Sequence, residues 1–192
     1  MSETLEADEI EALFTRADGE FLFARWGRPI VPVVFGVEDA TLGTVKGAVE
    51  AVVALAGHRM AETDPELGAN LMMFFFRDWQ ELPEVPGLDR LVPDLAPLVA
   101  RLEAAEANQY RIFRFDEDGA IKAAFVFLAM DAELSAVPAE TLALSQVVQT
   151  MLLWSDRAFA GQSPLGQLAD GRVVLRPEIG ALIRAGYDPV LP

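Results

Sequence analysis

Apolar residues recur at helical spacing in some stretches of the chain and at alternate or continuous positions in others, and these two periods predict its elements. Residues 6–16 form a short helix with Ile10, Leu13 and Phe14 on one face. "EFLFARWGRPIVPVVFG" is extended, and Pro29 and Pro32 place it at a sheet edge or a bulge. "DATLGTVKGAVEAVVALAG" is a helix: Leu42, Val45, Val49, Val52, Val53 and Ala56 share one side, Asp39 serves as N-cap and Gly57 as the stop. "ANLMMFFFRDW" is apolar on both faces, as a central strand should be. The Pro-rich run "LPEVPGLDRLVP" reads as a surface connection, and "DLAPLVARLEAAEA" as a helix. "QYRIFRFDEDGAIKAAFVFLAM" reads as a hairpin turning at "DEDG". "PAETLALSQVVQTMLLW" is a helix opened by Pro138, "GQSPLGQLADGRVV" a loop, and "RPEIGALIRAGY" a last helix.

This order predicts an α+β fold, with a mixed or antiparallel sheet, a hairpin and packed helices. Residues 1–192 read as a single domain with the 6–16 helix at its periphery. The Pro-rich stretch 83–97 is the only candidate linker, and it lies between elements expected to share one sheet.

Composition narrows the function classes. The chain of 192 residues carries 30 acidic and 15 basic side chains, a net charge of −15. Such a surface repels phosphate backbones and anionic lipids, so neither nucleic acid nor membrane is an expected partner. No apolar run reaches membrane-spanning length. The acidic start "MSETLEADEIEALF" lacks a basic and an apolar leader region, which points to the cytoplasm; the alternative is the cell envelope or periplasm, if a leader is removed. With no Cys, thiol nucleophiles, Fe–S ligation and Cys-based zinc sites are excluded. The single His, His58, cannot supply the two His of an HExxH helix. No metal and no other cofactor is expected.

The remaining motifs read as local structure. "FDEDG" has acidic residues before a Gly, as a calcium loop does, but Phe125 stands where that loop needs a Glu, and turn chemistry accounts for Asp116 to Gly119. "GQSPLG" lacks the spacing of a nucleophile elbow, with Pro164 directly after Ser163. His58 follows a helix end, where a cation favours the dipole. No phosphate-binding loop occurs.

One helix invites a closer reading. In "LSQVVQTMLLWSD", Leu144, Val147, Val148, Met151 and Leu152 line an apolar face, and Ser145, Gln146, Gln149 and Thr150 lie off its centre. Set against H-E-x-x-H-x-x-G-x-x-[HD], Ser145, Gln146 and Gln149 fall at the first His, the Glu and the second His. Leu152 falls at the Gly and Ser155 at the third ligand, with Asp156 next. Ser and Gln bind zinc poorly, and Gln146 cannot act as a general base.

Several stretches support that register. "RWGRPIVPVVFG" (Arg25 to Gly36), "AVVALAGH", "GANLMMFF", "QTMLLWSD" and "SPLGQL…VVLRPEIGALIRAGYDPVLP" together resemble the bacterial domain of unknown function family 2927. The resemblance spans the chain in order from about Arg25 to the C-terminus, and the Y-D-P-x-L-P ending is its most specific mark. It implies a zincin-like fold, similar to zinc-dependent metalloproteases, with a degraded metal motif. Leu152 in place of Gly, Ser155 in place of Asn and the lack of a lipoprotein leader depart from the family pattern.

The expectation is a non-catalytic zincin-like scaffold or binding domain that has lost its zinc site, with a protein or peptide partner and no assigned oligomeric state. Ser145, Gln146, Gln149, Ser155 and Asp156 form its candidate cleft. Trp26, Asn70, Tyr187 and Asp188 are candidate structural residues. The alternative is a hydrolase using carboxylates, drawn from Glu140, Asp156 and Asp188. A third reading makes Trp79 and Trp154 exposed anchors of a homo-oligomeric interface.

Overall fold

The computed structural model describes residues 4–191. Met1 to Glu3 of the acidic start and Pro192 of the Y-D-P-x-L-P ending lie outside the described residues. The elements are α1 (Ala7–Phe14), β1 (Pro32–Phe35), α2 (Asp39–Ala56), β2 (Leu71–Phe76), a 3-10 helix (Trp79–Glu84), α3 (Leu88–Leu91), α4 (Leu95–Ala104), β3 (Gln109–Phe115), β4 (Ile121–Ala129), α5 (Ala132–Ser135), α6 (Ala139–Met151), β5 (Leu165–Gln167), β6 (Val173–Leu175) and α7 (Pro177–Gly186).

The main sheet is mixed, in the order β1-β2-β4-β3. β1 runs parallel to β2 and β2 parallel to β4, while β3 returns antiparallel beside β4. Pro32 opens β1, an edge strand, where a missing N–H costs least. The crossover from β1 to β2 is α2, stopped by Gly57 in the left-handed region at φ 71°. Its N-cap is Glu38 rather than Asp39, which becomes the first helical residue and places its charge at the positive helix end.

Side-chain alternation along β2 and β4 splits the interior into two layers. Leu71, Met73, Ala124, Val126 and Leu128 face α2, α6 and α7. Met72, Phe74, Phe125, Phe127 and Ala129 face the opposite way, onto Trp79, Leu82, Leu88, Leu95, Val99 and Leu102. A sheet apolar on both faces must be covered on both, and this requirement corrects the reading of the Pro-rich run as a plain connection. That run folds into the 3-10 helix and α3, which roof the second face with Leu82, Leu88 and Val92. "GQSPLGQLADGRVV" is likewise more than a loop, for it holds the small β5–β6 hairpin. Trp79 and Trp154 are only 5% and 8% exposed, and their indoles donate to the carbonyls of Ala107 and Val148. Both belong to the core, and the reading of them as surface anchors is overturned.

The "RWGR" segment ties distant parts of the chain. Arg25 donates to the carbonyls of Gly186, Asp188 and Leu191, holding the tail after α7. The Trp26 indole donates to Thr150 O at 2.8 Å, at the end of α6. Arg28 pairs with Asp64 and Glu66. α1 docks at its C-terminal end, where Phe14 stacks on Trp154 with centroids 5.2 Å apart, while Asp8, Glu9 and Glu11 face solvent. Among the described residues no helix is long and apolar enough to cross a membrane.

Candidate functional site

Long side chains from the edge strand β3 reach across to the helix α6 and join it in a polar network. Along β3, Gln109, Arg111 and Phe113 alternate onto one face. On α6, Ser145, Gln146 and Gln149 sit at helical spacing opposite them. The polar side of α6 is therefore covered rather than solvated: Gln146 is 2% and Thr150 1% exposed.

The guanidinium of Arg111 joins these side chains. Its Nη1 donates to Gln146 Oε1 at 2.8 Å and to Gln109 Oε1 at 3.3 Å, and its Nη2 donates to Gln149 Oε1 at 2.8 Å. Gln146 Nε2 donates onward to Gln109 Oε1 at 2.9 Å. Gln149 Nε2 donates to the carbonyl and hydroxyl oxygens of Ser145, at 3.2 and 3.1 Å. Arginine only donates, so it fixes which amide atom of each glutamine faces it. Burial pulls the Arg111 pKa down to about 10, which still leaves it cationic at neutral pH. Among the described residues no carboxylate pairs with it.

Two adjoining cavities open beside this network. The smaller, about 390 Å³, is lined by Arg16, Arg111, Gln149, Trp154, Asp156 and Phe159, with Ser155 also on its wall. The larger, about 700 Å³, is lined by Ser145, Gln146, Gln149 and the segment from Phe159 to Gln167. Gln109 and Gln149 border both. The chain reaches the smaller cavity by leaving the helix after Met151 into an extended Leu152, φ −134°, a conformation that needs no glycine. The Leu152 side chain is fully buried, and its methyl carbons lie so close to Gly186 that a Cβ there would meet one at 3.1 Å. Ser155 N–H then donates to Leu13 O at 2.8 Å, and Asp156 Oδ1 accepts the Ala17 N–H at 3.2 Å.

Ser145, Gln146, Gln149, Ser155 and Asp156 thus gather around one pair of cavities. Glu140 and Asp188 do not join them. Glu140 is exposed in the first turn of α6, roughly 16 Å of helix rise from its end. Asp188 caps the tail, accepting the Val190 N–H at 2.9 Å. Among the described residues no group of three His, Cys, Asp or Glu side chains is placed to hold a metal ion. The α6 side chains offer neutral amides already engaged with a fixed cation, so a second, divalent cation does not fit there.

The other candidate residues sit elsewhere. Asn70 is fully buried: its Oδ1 accepts Val31 N–H at 2.7 Å, and its Nδ2 donates to Pro29 O and Asp64 Oδ2. The Tyr187 hydroxyl donates to Met151 O and accepts the Trp26 N–H, and burial pushes its pKa upward. His58 Nε2 lies 2.8 Å from the Arg28 carbonyl, so that nitrogen carries the proton, and burial lowers the pKa of the ring. His58 packs beside Tyr187, with ring centroids 5.1 Å apart, and lines neither cavity.

Arg111, Gln109 and Arg16 are the site residues that sequence reasoning missed. The alternating run "QYRIFRF" places Gln109 and Arg111 on one strand face, but only the long-range packing shows that this face meets α6. Comparison with family models, curated proteins and solved structures returned no match.

Proposed function

We propose that the chain is a non-catalytic binding domain on a zincin-like scaffold, in which an arginine takes the place of a metal ion. The observation that carries this reading is the Arg111 guanidinium held by Gln146 and Gln149. In the register of the family resemblance, those two positions are the general base and a metal ligand. An amide can serve neither role, and a buried guanidinium supplies the positive charge around which such a helix is built. The groove beside it suits a peptide or protein partner. Strand β3 pairs on one side only, leaving a row of backbone groups along the cavities for an extended segment.

The test is the metal content of protein purified without chelator, measured by elemental mass spectrometry, together with the thermal midpoint with and without EDTA. Zinc far below one per chain and an unmoved midpoint are expected. One tightly held zinc with a midpoint lowered by EDTA overturns the reading. A peptidase screen with added divalent metals is expected to be silent.

A further inference from the structure

The smaller cavity holds two arginines that the network on α6 does not neutralise. Arg111 spends both Nη1 hydrogens and one Nη2 hydrogen on glutamine oxygens, which leaves its Nε–H and a neighbouring Nη2–H uncommitted. Arg16 lines the same cavity with its Nε buried and without an acceptor. Neither is paired with a carboxylate among the described residues. A buried charged donor such as the Arg16 Nε–H is normally matched by an acceptor. The same cavity is lined by the aromatic residues Trp154, Phe159 and Phe113.

We propose that this cavity binds a carboxylate group carried on an apolar or aromatic body, gripped between Arg16 and the free edge of Arg111. A carboxylate matches adjacent guanidinium donors with two oxygens, and the aromatic walls accept the rest of the ligand. Asp156 is the opposing charge on the same wall. Its Oδ1 is turned to the Ala17 N–H, and it pairs with neither arginine. The overall charge of −15 repels anions at long range, so selectivity for one falls to this local pair. The inference rests on the reading of the cavity as a binding site and names the ligand class it takes. A small organic acid and the free C-terminal end of a peptide present the same chemistry.

Titration calorimetry of the full chain with acetate, benzoate, benzamide, Ala-Ala-Phe and its C-terminal amide tests the proposal. Saturable binding of benzoate or of the free-acid peptide is expected, with benzamide and the peptide amide at least about tenfold weaker. Arg16→Gln is expected to weaken the binding about tenfold while leaving the α6 network in place. Binding of the peptide acid alone identifies a peptide end as the ligand, and binding of benzoate as well identifies small acids. No binding of any carboxylate up to about 10 mM, or equal binding of acids and amides, overturns the proposal. So does Arg16→Gln protein that binds as tightly as the parent. Metal-free, hydrolytically silent protein that ignores every carboxylate overturns this inference alone, whereas stoichiometric zinc overturns the preceding reading.

Discussion

Replacing Asp64 by Asn is expected to destabilise the protein by about 3 kcal/mol at neutral pH. Asp64 is 4% exposed, and its carboxylate accepts N–H groups from Glu66 at 2.8 Å and Leu67 at 2.9 Å, and Asn70 Nδ2 at 2.9 Å, with Arg28 Nη1 at 3.4 Å. Burial alone raises its pKa. The four donors together outweigh that effect and bring it from 3.8 to about 2. Because the folded pKa lies below the unfolded one, the ionised form stabilises the fold above the unfolded pKa. That contribution disappears as pH falls through the folded value. A shift of nearly two pKa units corresponds to about 2 kcal/mol. An amide NH₂ facing backbone N–H donors adds about 1 kcal/mol of unmet hydrogen bonding. Urea unfolding of both proteins at neutral pH, and at intervals from about pH 5 to about pH 2, reads the difference. The gap should be about 3 kcal/mol, or roughly 6–12 °C in thermal midpoint, and should shrink by about 2 kcal/mol at the acid end. The variant cannot titrate here, so the shrinkage isolates Asp64 from the other carboxylates. A neutral-pH gap below about 1 kcal/mol, or one that stays constant with pH, refutes the assignment.

Gly36 has φ +85°, and a Cβ there would lie 2.0 Å from the Phe75 carbonyl oxygen, so Gly36→Ala should cost at least about 3 kcal/mol or abolish folding, read from the thermal midpoint. Arg25→Ala removes three donations to the tail carbonyls. Amide exchange from Tyr187 to Leu191 should accelerate strongly, with global stability lower by about 2 kcal/mol. Arg111→Lys cannot span Gln146 and Gln149 with one point charge and should cost about 1–3 kcal/mol by urea unfolding, without creating zinc affinity.

Local pattern made most of the scaffold legible. The runs around Val45 to Ala56 and Leu71 to Phe76 carry their own period, and the prolines at 29 and 32 marked an edge because a missing N–H has few places to go. The Pro-rich roof was misread because Leu82, Leu88 and Val92 have no regular spacing of their own. They are buried only because the second face of the sheet demands a cover. The candidate cleft was half legible. Gln146 and Gln149 stood out as polar residues on an apolar helix, but their partner lies 35 residues from Gln146 in sequence, on a strand whose facing is decided by pairing with β4. The same holds for Asp156, whose link to Ala17 spans 139 residues, and for Arg16, an ordinary cation after a short helix until the fold encloses it. Long-range closure leaves no signature in a local period.

The α6 polar stripe holds the Arg111 guanidinium, and the proposed reading is that this cation stands where a metal ion would. The most direct measurement is the side-chain ¹H–¹⁵N spectrum of Arg111, Gln146 and Gln149 at neutral pH during a zinc titration. Separately resolved, slowly exchanging Arg111 Nη protons are expected, with Gln146 and Gln149 amide signals that stay fixed as zinc is added. Averaged Arg111 Nη signals, or a saturable zinc-dependent shift of the two glutamine amides, would contradict that reading.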